Sequence, residues 1–148
     1  MTGHRLIPFE GDLEPDEDYE GLRFAEVTFD DAAGVQAFSS ALRRVRFRGG
    51  KLDSVNFRGA VFTDVTFEDC MLRDTDFGGA TLLRVGFASC TLTGADFTKT
   101  ACTEVDLRGA QLGITAGYES LRGVTIDSVQ LVTLAPYLAR HLGITVAD

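Results

Sequence analysis

Apolar residues fall at every fifth position between residues 45 and 112. Phe47, Leu52, Phe57, Phe62, Phe67, Leu72, Phe77, Leu82, Phe87, Leu92, Phe97, Cys102, Leu107 and Leu112 form an unbroken series. Two residues ahead of each stands a small or β-branched residue: Val45, Gly50, Val55, Ala60, Val65, Cys70, Thr75, Ala80, Val85, Cys90, Ala95, Thr100, Val105 and Ala110. The other three places in each pentad are mixed and rich in Gly, Asp, Arg, Ser and Thr. A period of five suits neither a helix nor a flat strand. Side chains two apart on an extended segment share a direction. The small residue and the large one therefore both point inward from a short strand, and the next residues turn a corner. Each pentad is one side of a coil, and a unit that cannot bury its own apolar face must stack on copies of itself.

A longer period counts the sides. Val45, Val65, Val85 and Val105 stand one at every fourth pentad, so the coil has four sides. Stacked as parallel strands ~4.8 Å apart, the coils predict columns. Phe47 lies over Phe67, Phe87 and Leu107; Leu52 over Leu72, Leu92 and Leu112; Phe57 over Phe77 and Phe97. The same register sets Asp53 beside Arg73, Arg48 beside Glu68, and Asp64 beside Arg84 and then Glu104. Such cross-strand pairs each contribute only ~0.2–1 kcal/mol.

The ends depart from the rule. Leu22-x-Phe24 and Val27-x-Phe29 are two more pentads, but the step from Val27 to Val45 falls two positions short of a whole coil. Residues 32–44 between them read as a loop, a helical turn or an irregular coil. Val124-x-Ile126 resumes the pattern, with the step from Val105 to Val124 one position short and the corner of a distorted coil near "GITAGYE". The chain thus divides into an acidic N-terminal tail (1–21), a solenoid (22–126) of about five coils, ~24 Å tall, and a C-terminal capping helix (127–148). Asp127 with Gln130 reads as a capping box and Gly143 as a C-cap. Leu131, Leu134, Leu138 and Leu142 form the stripe expected to face the last coil, while Gln130, Thr133, Tyr137 and Arg140 fill the polar side. Pro136 is expected to kink or split the helix, and Ile144–Val146 reads as a short added strand. The second apolar stripe, Val129, Val132 and Ala139, with Ile144 and Val146, is left facing away. It is the candidate interface of an end-to-end homodimer.

Charge changes the functional reading. The net charge is −8, yet residues 10–31 hold ten acids and one base, whereas residues 45–112 hold nine acids and eight bases. That balance disfavours nucleic acid as a direct partner. There is no membrane-length apolar run and no signal peptide. The three cysteines, with no Cys-x-x-Cys spacing, fit a reducing cytoplasm. Cys70, Cys90 and Cys102 read as core fillers rather than metal ligands or a redox pair. His4 and His141 have no Cys, Ser or acid at suggestive spacing. Catalytic, cofactor and metal sites are not expected, so the chain does not read as an enzyme. Asn56, Asp76 and Asp96 form an outward ladder. It reads either as an acidic strip for a basic cleft or as turn-forming side chains bonding their own backbone.

The chain resembles the pentapeptide-repeat family, whose repeat is A-(D/N)-L-x-x, most closely at "TDFGG" (75–79), "ADFTK" (95–99), "VDLRG" (105–109) and "AQLGI" (110–114). The resemblance implies an all-β solenoid, a right-handed four-sided parallel β-helix, here with an α-helical cap. It also implies two functional readings: a non-enzymatic scaffold for protein–protein interaction, or a DNA mimic that binds type II topoisomerase (DNA gyrase or topoisomerase IV), inhibiting it or protecting it from quinolones. A mimic must approach one negative charge per ~1.7 Å. A balance of −1 over residues 45–112 is far from that, which favours the scaffold. Family members with a terminal dimerising helix resemble the arrangement expected here.

Overall fold

The computed structural model describes residues 39–148 apart from Asp53, together with three strands nearer the N-terminus. Those strands are β1 (Ile7–Pro8), β2 (Leu22–Ala25) and β3 (Thr28–Asp30). They are followed by β4 (Ala41–Arg43), β5 (Arg46–Arg48), β6 (Val61–Glu68) and β7 (Thr81–Ala88). Then come β8 (Thr91–Asp96), β9 (Ala101–Asp106) and β10 (Gln111–Ala116). A 3₁₀ turn at Tyr118–Ser120, β11 (Val124–Thr125) and helix α1 (Ser128–His141) complete the chain.

Every strand pairing among the described residues is parallel, and within the shaft its offset is the coil length. Val65 pairs with Val85 and Val85 with Val105. Two sides of the coil lie in the sheet that runs through β4, β6, β7 and β9, because β6 and β7 each bend round a corner. The third side stacks Lys51, Met71, Thr91 and Gln111, and the fourth stacks Asn56, Asp76, Asp96 and Ala116. Among the described residues four coils are therefore complete, where about five were expected over 22–126. At the ends the sheet continues on fewer sides: β2 pairs with β4, β3 with β5, and β11 with β9. The two short steps are absorbed without loss of register, since Thr28 pairs with Arg46 and Val124 with Val105. Regular stacking also begins before Val45. Ser40 and Leu42 are buried like any inward pair, and Ala41–Arg43 is in register with Val61–Thr63. That part of the segment read as irregular is an ordinary side; residues 1–6, 9–21, 26–27 and 31–38 lie outside the described ones.

A backbone demand makes the corners. At every fifth residue from Ser39 to Gly109 φ is positive, fifteen times in succession, and ten of the fifteen are not glycine. They include Arg44, Arg84, Lys99 and Glu104, all with φ near +55°. A left-handed conformation costs an ordinary residue roughly 1–2 kcal/mol. It persists because hydrogen bonds to the next coil fix the corner. The N–H of Asp69 donates to Ala88 O and that of Asp74 to Thr93 O, at 3.0 and 2.8 Å.

Inside, the columns form as the register requires. Phe47, Phe67 and Phe87 stack almost face to face with centroids 4.9 and 5.0 Å apart, and Phe57, Phe77 and Phe97 do so at 5.5 and 5.2 Å. All six rings are buried. Spacings of this size are the strand separation itself, so a flat ring fills a level without a gap. Among the small inward residues, several polar ones reach back to a carbonyl of the preceding coil. Cys70 Sγ donates to Phe47 O, Cys90 Sγ to Phe67 O and Thr100 Oγ1 to Phe77 O. Thr75 Oγ1 is the exception, buried without a partner. A buried unpaired hydroxyl costs about 1–3 kcal/mol. Val55 occupies the same column, so Thr75→Val is expected to raise the urea midpoint, with a gain of about 1–2 kcal/mol. An unchanged or lowered midpoint would show that the hydroxyl is satisfied.

Surface pairing follows the register in part. Arg84 holds Asp64 through both guanidinium contacts, and its hydrogen bond keeps that carboxyl below the usual range. Arg48 and Glu68 are strand partners, and Glu68 makes an ion pair with Arg46 at 3.5 Å. Asp53, expected beside Arg73, lies outside the described residues.

Candidate functional site

The end of the solenoid is where the molecule departs from repetition, and α1 is its cover. The helix starts on the expected capping box: Asp127 accepts from the Gln130 N–H at 2.8 Å, and Gln130 Oε1 accepts from the Asp127 N–H at 2.9 Å. It ends in a Schellman arrangement, with the N–H of Ile144 on Ala139 O and that of Gly143 on Arg140 O. Pro136 lies within one continuous helix rather than splitting it. Both Pro136 and Val132 are on the exposed side, so the carbonyl that Pro136 cannot bond is open to water. Ile144–Val146 forms no strand.

The face turned inward is not the leucine stripe. Leu134 is buried and Leu138 half-buried, but Leu131 and Leu142 are 51% and 71% exposed. In their place stands Gln130, assigned to the polar side from its chemistry and in fact buried. Its Nε2 donates to Leu107 O at 2.6 Å and Ala110 O at 2.7 Å. The last coil has no further coil to supply donors, and Gln130 substitutes for the Cys and Thr side chains that do so below. Leu107 O also accepts from the Ala110 N–H, so Gln130 is its second donor, and an unpaired buried carbonyl at Ala110 would cost about 1–3 kcal/mol.

Turning the helix this way leaves an apolar strip in water. Eight large hydrophobic residues are exposed among the described ones, and seven of them lie between Val129 and Val146. Val129, Val132, Ile144 and Val146, the candidate interface residues, are 75%, 74%, 55% and 76% exposed. Ala139 is half-buried, and Leu131 and Leu142 join the strip instead.

The inner side of α1 meets the 3₁₀ turn in an aromatic and charged cluster that sequence spacing did not suggest. Tyr118 and Tyr137 stack at 6.1 Å, the Arg140 guanidinium stands 6.0 Å from the Tyr137 ring centre, and His141 Nε2 is 3.7 Å from Glu119. His141 thus has the acidic neighbour that the sequence did not reveal. Tyr118 donates its hydroxyl to Ile114 O, and burial pushes its phenol up.

The acidic ladder stacks in register, Asn56 on Asp76 on Asp96, and all three are half-buried. Each bonds its own turn: Asn56 Oδ1 accepts from Arg58 N–H, Asp76 Oδ1 from Gly78 N–H and Asp96 Oδ1 from Thr98 N–H, at 2.8–2.9 Å. Asp76 also pairs with Arg58 at 3.1 Å, and the hydrogen bonds from Thr98 hold the Asp96 carboxyl below the usual range. The cysteines are free thiols. The shared hydrogen bond with Cys90, together with burial, pushes the Cys70 thiol up; burial raises Cys102 to about 11. The hydrogen bond with Cys70 lowers the Cys90 thiol, but Cys70 and Cys90 are both buried in the core, away from solvent. Among the described residues no three His, Cys, Asp or Glu side chains converge as a metal site. No helix among them is long and apolar enough to cross a membrane.

A four-sided parallel solenoid of pentads, closed by a helix, defines the class. A sequence profile described as "Pentapeptide repeat region" matches residues 40–115, and the chain belongs to the pentapeptide-repeat family. Its fold is similar to the crystal structure of a pentapeptide repeat protein, Rfr23, from the cyanobacterium Cyanothece 51142. The identity is 16% and the TM-score 0.53, over 76% of this chain and 86% of that one. A trypsin-treated form of QnrB1, a plasmid-mediated fluoroquinolone resistance protein, matches at 20% identity over 89% of this chain and 100% of that one. Its TM-score of 0.39 is too low to extend the likeness further. No curated protein matches the sequence.

Proposed function

We propose that the protein is a cytoplasmic, non-enzymatic scaffold that binds other proteins and is itself a homodimer, joined end to end through residues 127–148. The observation that carries this reading is the strip on α1 and beyond, Val129, Leu131, Val132, Leu142, Ile144 and Val146, all more than half exposed. A rigid shaft has no reason to keep such a strip in water, and a two-fold pairing that covers it is the simplest symmetric solution. The free thiols, two of them buried, accord with a cytoplasmic setting. The second reading, a duplex-DNA mimic aimed at a type II topoisomerase, draws no support from the described charges. The ladder carboxylates serve turns, and Asp64, Asp76 and Asp106 are each paired with an arginine.

Light scattering tests the dimer. The wild type is expected to have twice the chain mass at micromolar concentration, and Val132→Asp to reduce it to one chain without loss of the β-solenoid circular dichroism. A monomeric wild type refutes the reading. A dimer that survives Val132→Asp and Val129→Asp together places the interface elsewhere.

A further inference from the structure

Between α1 and the third side of the last two coils lies an open groove of about 580 Å³. That is the size of a small-molecule site, and it is separate from the strip just described. The groove faces the inner side of the helix, the strip its outer side. One wall is the backbone of β8 and β10 at Gly94 and Gly113, with the Asp74 carboxylate packed against Gly94. Leu112, Ile114 and Leu134 supply an aliphatic lining, and the stacked Tyr118 and Tyr137 rings supply aromatic faces.

The polar groups in this groove are unequal. Tyr118 Oη is used on Ile114 O, Thr115 Oγ1 lies 3.2 Å from Ala95 O, and Thr133 Oγ1 turns back to Val129 O. His141 is drawn to Glu119. Arg140 is different. Its guanidinium lies against the Tyr137 ring, and among the described residues no carboxylate pairs with it, in a chain of net charge −8. Among the side chains that line the groove it is the cation without a carboxylate partner. A guanidinium already packed on an aromatic ring and open on its other side is arranged to take a planar anion by paired hydrogen bonds.

We infer that the groove binds a small planar aromatic anion, a carboxylate or sulfonate whose ring lies on the Tyr118–Tyr137 side and whose acid group meets Arg140. The probe is anilinonaphthalene sulfonate, followed by fluorescence titration of the full chain, with its uncharged counterpart N-phenylnaphthylamine alongside. One saturable site per chain is expected, with the uncharged compound binding more weakly. Arg140→Gln is expected to weaken the sulfonate by about tenfold and to leave the uncharged compound unchanged. Thr133→Trp, at an exposed helix position whose larger side chain enters the groove, is expected to abolish both; circular dichroism checks that it folds. Val132→Asp, on the outer strip, should change neither, so failure here is distinguishable from failure of the dimer. No saturable binding, equal affinity for the two compounds, or loss in Val132→Asp with retention in Arg140→Gln overturns the inference. The last result assigns the dye to the outer strip, and a stoichiometry of one dye per dimer assigns the groove to a second copy.

Discussion

Phe77→Ala is expected to lower the unfolding free energy by about 3–5 kcal/mol. The ring is fully buried at the centre of the stack, between Phe57 at 5.5 Å and Phe97 at 5.2 Å. Phe62 and Phe87 close the sides at 6.0 and 5.9 Å. Removing it leaves a void bounded by four rings. The coils cannot collapse into it, because their separation is set by strand hydrogen bonds rather than by side-chain size. Thr103→Ala, on an exposed position of the same shaft, is expected to stay within about 0.5 kcal/mol. Urea melts read both, as a fall in midpoint at unchanged slope. Similar small shifts for the two would contradict the inward assignment of the column.

A second large effect is expected where the last coil is short. Gly123 has φ +91°, and a Cβ there would overlap Cys102 O and stand 3.0 Å from Cys102 C. Both atoms are backbone and belong to β9, so no rotamer change relieves the clash. A strained conformation and an overfilled contact each cost about 1–3 kcal/mol. Gly123→Ala is therefore expected to destabilise by about 3–5 kcal/mol and to weaken the pairing of β11 with β9. Gly109 supplies the comparison: its φ is +80°, but nothing lies within 4 Å of its missing Cβ. Gly109→Ala should show the conformational part alone, about 1–2 kcal/mol. Equal losses at the two sites would mean that the close approach at Gly123 does not exist.

The regular shaft was legible because its rule is written in side chains. Fourteen successive pentads carry a large apolar residue, and the Phe columns follow from counting. The corners were not legible in the same way. Their requirement is a backbone angle, and it is met by Arg44, Lys99 and Glu104 as well as by glycine. At the cap, two apolar stripes lie side by side on α1, and hydrophobicity alone favoured the leucines. The deciding partners of Gln130 are the carbonyls of Leu107 and Ala110, groups that every residue possesses and no sequence pattern reveals. The cluster of Tyr118, Tyr137, Arg140 and His141 was hidden for a related reason. The shortened coil shifts the 3₁₀ turn out of the pentad phase, so spacing no longer tells which residues meet.

A four-sided coil of pentads also has an angular meaning. Each pentad advances the chain by about a quarter of a revolution, so the compass bearing of whatever follows depends on what is left over after whole coils are counted. Inserting a whole coil would lengthen the shaft and leave α1 pointing as before. Inserting one pentad would swing α1, with its strip and groove, to the neighbouring side. The short steps at the two ends change the count but not the bearing, because β3 still pairs with β5 and β11 with β9. Lineages built on this plan therefore have two separate adjustments, reach and aim, and each can be altered without rewriting a single inward residue.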